Sequence, residues 1–225
     1  MPRTIVFLGP SLDRASAEKI LAAEYRPPAK RGDILRAAAD GAEIIVLIDG
    51  VFHQEAAVAH REVLAAVKVG ITVVGASSMG ALRAAELHTL GMTGIGKIYE
   101  MYRDGRLVSD DEVALVFDPV SGYALSEPLI NIRCTLQKTE AAGIITATEN
   151  AALLAAAKSI FYPQRTYPKI AAVTGDAIDP ATRERFLAFA AKSPADQKKE
   201  DAIAALEYVR DLAAGKERDT SGKKV

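Results

Sequence analysis

Residues 71–86 read I-T-V-V-G-A-S-S-M-G-A-L-R-A-A-E, and no other stretch constrains the fold as tightly. Ile71, Thr72, Val73 and Val74 suit a buried strand. Ala81 to Leu87 are sound helix formers. Only small residues and Met79 lie between. A strand that turns so sharply into a helix sets its turn residues at the carboxyl edge of an α/β sheet, where ligands usually bind.

Three readings of that turn compete. Gly75 and Gly80 have the spacing of a phosphate loop, but Ala81 and Leu82 stand where Lys and Ser/Thr would follow, so the phosphate charge and the Mg²⁺ ligand are missing. Ala76-Ser77-Ser78-Met79-Gly80 matches a nucleophile elbow, with Ala in place of the first Gly and Ser78 as the nucleophile. The amides opening the helix would then hold an oxyanion. In the third reading Ser77 or Ser78 caps the helix. The local pattern by itself favours the cap.

The neighbouring runs build the sheet. Glu43 to Ile48 is almost continuously apolar, as in a strand buried on both faces of a parallel sheet. Thr4 to Leu8 is a shorter run ended by Gly9-Pro10-Ser11. Helices are expected from Ser11 or Asp13 to about Glu24, over residues 32–40, over 54–69 and over 97–103, with a further strand at Val113–Phe117. Tyr25 to Lys30 reads as a loop with room for a short strand, and Gly91 to Gly96 as a glycine-rich loop. That loop follows a helix and so lacks the context of a dinucleotide fingerprint.

From Ser126 on, the pattern is helical. Ser126 opens a helix to about Ala142. Thr146-Ala147-Thr148-Glu149 is a capping box. A short segment covers Lys169 to Val173. Asp179-Pro180 and Ser193-Pro194 each resemble an N-cap followed by Pro. The expected class is α/β, Rossmann-like, a mostly parallel sheet with flanking helices followed by a helical C-terminal region. The expected division is a core over 1–125, helices over 126–214 and a disordered tail over 215–225.

Composition narrows the function. The chain has 225 residues, 49% hydrophobic and 25% charged, with formal net charge −1. That balance argues against a general nucleic-acid binder. The single cysteine, Cys134, excludes an internal disulfide framework and a cysteine zinc site, and neither a metal nor a cofactor is called for. The apolar run at the N-terminus is too short for a signal peptide and no run approaches membrane-spanning length, so a cytoplasmic protein with no membrane partner is expected.

Polar residues near strand ends are the candidate site. Asp49 ends the second apolar run as a turn former or a functional carboxylate. His60 shares a helical stripe with Ala57, Leu64 and Val67, either as a core histidine or as a general base facing the sheet edge. His53 is its rival, and His88 reads as solvent-facing or C-capping. Ser11 caps a helix or offers a hydroxyl at the sheet edge. Arg83 and Glu86 are neighbours on one helix, as an ordinary ion pair or with Arg83 presenting a cation to an anion. Ser109-Asp110-Asp111-Glu112 is an acidic run, either a solvated turn or a cation site.

Together these stretches resemble the TfuA-like family. The likeness rests on Gly9-Pro10-Ser11, Ile48 to Phe52, His60-Arg61-Glu62, Gly75 to Leu87, Gly91-Met92, Gly94-Ile95-Gly96, Asp110 to Val113 and Asn131-Ile132-Arg133. The resemblance implies a partner of a YcaO-type enzyme in thioamidation of a peptide backbone. It implies hydrolysis of a thiocarboxylated, ThiS-like sulfur-carrier protein to release sulfide, and tighter binding of a precursor peptide or protein substrate. Such acyl chemistry suits a seryl nucleophile, with Ser78 attacking, His60 as base and Asp49 orienting the imidazole. Ser11, Ser77, Arg83, Glu86, Asp110, Asp111 and Arg133 are then the substrate-binding candidates. A water activated by His60 or a carboxylate, a non-catalytic adaptor, and a nucleotide-binding α/β protein are the alternatives.

Overall fold

The β-branched runs form strands β1 (Thr4–Phe7), β3 (Ile44–Leu47) and β4 (Thr72–Ala76), joined by β2 (Glu24–Arg26) and β5 (Thr93–Ile95). In this computed structural model, which describes residues 2–52, 57–118 and 122–215, all strand pairs are parallel. The order is β2-β1-β3-β4-β5. The expected α/β class is therefore what the chain adopts. In this order the connection reverses direction between β1 and β3, and the strand ends there border the crevice where such sheets hold ligands.

Alternation along the strands sorts side chains onto two faces. Val6, Ile44, Val46, Ile48 and Val74 pack with Leu12, Ala17 and Leu21 around α1 (Arg14–Ile20), and with Ala202, Leu206 and Val209 of α10 (Gln197–Ala213). Ile5, Phe7, Ile45, Leu47 and Val73 are buried on the opposite side. The remaining helices of this unit are α2 (Asp33–Ala39), α3 (His60–Lys68), α4 (Met79–Leu87) and α5 (Lys97–Arg103). Asp201 of α10 caps α5, accepting from Lys97 N at 3.1 Å and Ile98 N at 2.7 Å.

Among the described residues, contacts group those of 2–104 with 199–215, and those of 105–198 as a second unit. The second unit holds α6 (Leu129–Ala141), α7 (Ala147–Ser159), α8 (Tyr167–Thr174) and α9 (Pro180–Lys192) around a core that includes Ile132, Leu136, Leu153, Ile170 and Phe186. Arg165, only 1% exposed, donates to the carbonyls of Ala157, Ile160 and Asp111 and pairs with the Asp111 carboxylate. This grouping places residues 105–125 with the helices, and 199–215 with the sheet. The expected tail lies, from residue 216 on, outside the described residues.

Several local expectations change. Thr93–Ile95 is an edge strand, not a loop. Val113–Phe117 is not a strand; Phe117 makes one isolated antiparallel bridge to Ala124. Its backbone finds side chains instead: Val116 N donates to Ser126 Oγ and Val113 O accepts from Lys198 Nζ. Ser126 therefore does not cap α6, whose N-cap position is Pro128. α1 ends at Ile20, and its cap is Asp13, which accepts from Ser16 N. α10 begins at Gln197, and Ser193 ends α9. No helix among the described residues is long and apolar enough to cross a membrane.

Candidate functional site

The carboxyl ends of β1, β3 and β4 bring Ser11, Asp49 and Ser77 into one hydrogen-bonded chain. Ser77 Oγ donates to Ser11 Oγ at 3.0 Å. Ser11 Oγ donates to Asp49 Oδ1 at 2.7 Å. Asp49 Oδ2 also accepts from Gly9 N at 2.8 Å and Ser11 N at 3.1 Å. Asp49 thus closes the β1–β3 crevice by holding the Gly9-Pro10-Ser11 loop. All three side chains are buried, at 3%, 2% and 0% exposure for Ser11, Asp49 and Ser77. A buried carboxylate is tolerated where donors surround it, and here they do.

The turn itself is tight. Ser77 has φ +65°, and among the described residues it is the non-glycine with a left-handed backbone. Such a conformation costs of order 1–3 kcal/mol and persists where surrounding structure enforces it. The enforcement is visible at two glycines. A Cβ on Gly80 would sit 1.7 Å from the Leu47 carbonyl oxygen, and one on Gly75 would sit 2.2 Å from the Gly80 carbonyl oxygen. The first turn of α4 therefore lies directly on β3 and β4, with Gly80 N donating to Ile48 O at 3.2 Å.

Neither serine caps α4. Ser78 occupies the N-cap position with φ −106° and ψ −123°, yet makes no side-chain cap bond. The cap, which the local pattern favoured, is not what the turn serines do. Ser78 is 1% exposed.

His60 is placed differently from expectation. α3 begins at His60, so the imidazole is on its first turn rather than two turns in, and the buried face is Glu62, Val63 and Ala66. The His60 side chain is 51% exposed, and Nε2 lies 2.8 Å from Glu86 Oε2. Among the described residues it hydrogen-bonds neither Ser78 nor Asp49. Arg83 also holds Glu86 Oε2, at 2.6 Å, and donates to Val58 O at 2.9 Å. Arg83, Glu86 and His60 form one surface network, and among the described residues no bond joins it to the Ser77–Ser11–Asp49 chain. His53 lies outside the described residues. His88 Nδ1 donates to Ala85 O at 2.9 Å, which fits the C-capping reading.

The other candidates belong to the second unit. Asp110 is exposed. Asp111 is paired with Arg165, and Arg133 binds Glu112 through two bonds of 2.8 and 2.6 Å. Burial pushes the Asp111 carboxyl up, but the Ser109 hydroxyl and Arg165 outweigh it and hold its pKa below the usual value. The acidic run is therefore largely neutralised by arginines. Among the described residues no three His, Cys, Asp or Glu side chains gather as a metal set.

Two features of the turn were not legible in the sequence. One is Ser77 as the strained residue of the turn: an elbow centred on either serine keeps one of its two glycines, and Ala76 in place of the first is a smaller departure than Met79 in place of the second. The other is the bond from Ser11 to Asp49: the sequence offers Ser11 as a helix cap or as a hydroxyl at the sheet edge, and the pairing of β1 with β3 shows which carboxylate it meets.

A family model described as TfuA-like protein matches residues 49–166, more than half of the chain. No curated protein matches it. The matched region opens at Asp49 and contains the whole turn.

Proposed function

Since the chain belongs to the TfuA-like family, we propose that it works beside a YcaO-type enzyme in backbone thioamidation, hydrolysing a thiocarboxylated ThiS-like carrier to release sulfide and aiding binding of the peptide substrate. The observation that supports this reading most is the β4–α4 turn, where two serines stand at a helix start and neither caps it. Acyl hydrolysis needs a hydroxyl placed against helix N-terminal amides, which hold the charge that develops on the carbonyl oxygen. What supports the reading is that β4 ends at Ala76 and α4 begins at Met79, so both serines stand where the strand passes into the helix.

The adaptor reading draws on a different observation. The histidine best suited to be a base is half-exposed and paired with Glu86. An adaptor would bind YcaO, carrier and peptide with no chemistry of its own.

Purified protein incubated with a thiocarboxylated sulfur carrier distinguishes the two. Sulfide release well above the carrier-only rate is the expected result. A rate equal to carrier alone, with the carrier nonetheless bound, replaces the hydrolase by the adaptor.

A further inference from the structure

We infer that Ser77, rather than Ser78, is the nucleophile, and that Ser11 and Asp49 are the path for its proton; this rests on the hydrolase reading above. A weak nucleophile such as a seryl hydroxyl must lose its proton as it attacks, and the group that takes it must lie within hydrogen-bond reach. Ser77 meets that condition through Ser11, 3.0 Å away, which in turn lies 2.7 Å from Asp49 Oδ1. No imidazole is needed along this route. Among the described residues Ser78 makes no comparable bond to a base, and its backbone N–H is directed to Ala76 O at 2.8 Å.

Backbone shape agrees. In a nucleophile elbow the reactive serine sits on the strained residue between strand and helix. β4 ends at Ala76, α4 begins at Met79, and the residue with φ +65° is Ser77. Gly75-Ala76-Ser77 then supplies the first half of the elbow pattern, and Gly80 provides the close helix packing one residue later than usual.

The step balances without a redox partner. Ser77 Oγ adds to the thiocarboxylate carbon. Its proton moves to Ser11 Oγ while the Ser11 proton moves to Asp49 Oδ1. The tetrahedral oxyanion collapses, the C–S bond breaks, and sulfur leaves as sulfide, protonated by the proton returning from Asp49. Water then hydrolyses the seryl ester by the same route. The sum is thiocarboxylate plus water giving carboxylate plus hydrogen sulfide. Ser77 is 0% exposed in the free chain, so both the carrier's acyl carbon and a labelling reagent reach its Oγ only when the residues covering it part.

Two readouts test this. A small alkyl fluorophosphonate is reacted with the full chain, and the modified residue is mapped by peptide mass. Sulfide release is then compared for wild type and Ser77→Gly, with thermal melting of both. The expected result is a label on Ser77, and at least about a 100-fold loss of release in Ser77→Gly with an unchanged or raised Tm, since glycine relieves the positive φ. A label on Ser78, or none, overturns the inference, as does a Ser77→Gly protein that keeps its rate. If wild type releases no sulfide but Ser77 is labelled, the carrier reading fails and the nucleophile stands.

Discussion

At the scale of single residues, the half-buried Glu127 gives the clearest pH signature. Burial raises its carboxyl pKa above 4.5, and the nearby Asp196 charge adds to the rise. A carboxyl whose pKa is raised by folding favours the native state in its protonated form. Its contribution is intact below the unfolded pKa and is lost as pH rises through the folded value. Glu127→Gln should therefore raise Tm near pH 7 and leave it almost unchanged near pH 3.5, measured by thermal melting. Equal melting at neutral pH would remove Glu127 from the account. The residue scale is also where sequence reading was least able to see the site. Asp49 was legible as either a turn former or a carboxylate with a task, because an acid at a strand end is unusual. Its partners were not legible, since Ser11 is 38 positions away in the chain and adjacent only through β1–β3 pairing. Periodicity put His60 on a buried stripe by extending α3 backwards to Gln54. The helix starts at His60 itself, so Ala57 is not on that stripe.

At the scale of elements, the contact of α4 with the sheet depends on missing side chains. Gly80→Ala would place a methyl carbon 1.7 Å from the backbone oxygen of Leu47, which cannot rotate away. Alanine gains up to about 1 kcal/mol of helix propensity over glycine. Overpacking of this kind typically costs about 1–3 kcal/mol and here meets backbone, so the variant should unfold at lower denaturant than wild type. A midpoint equal to or above wild type would show that α4 has room to shift. The strands β1, β3 and β4 were legible because β-branched runs leave few other options. β5 was hidden because Gly94 interrupts it, and that glycine is required by the Tyr99 ring, which a Cβ would approach to 2.2 Å. Val113–Phe117 was misread for the converse reason. It is apolar enough for a strand, but side chains of Ser126 and Lys198 satisfy its backbone.

At the scale of the whole molecule, the sheet unit draws on both early and late residues. Asp201 is buried and accepts from the first amides of α5, while Gly96 leaves space for it: a Cβ there would lie 2.4 Å from Asp201 Cγ. Asp201→Asn removes the charge from those bonds, and an amide can accept through one oxygen only. A loss of about 1–3 kcal/mol is expected, together with faster hydrogen exchange at Ile98. Unchanged exchange there would mean that α5 holds itself. The change to a helical pattern was legible, since α6 to α10 all follow Ser126. The return of α10 to the sheet was not, because Ala202, Leu206 and Val209 are an ordinary amphipathic spacing that names no partner. This arrangement has a consequence for synthesis. All five strands leave the ribosome before the helix that covers one of their faces. At about 5–20 residues per second, the interval spanning residues 105–198 lasts roughly 5–20 s. Throughout it, Val6, Val46 and Val74 lack the apolar cover of α10. The helical unit, continuous in sequence, can complete itself first, and the nascent sheet is the stage at which a chaperone has something to hold.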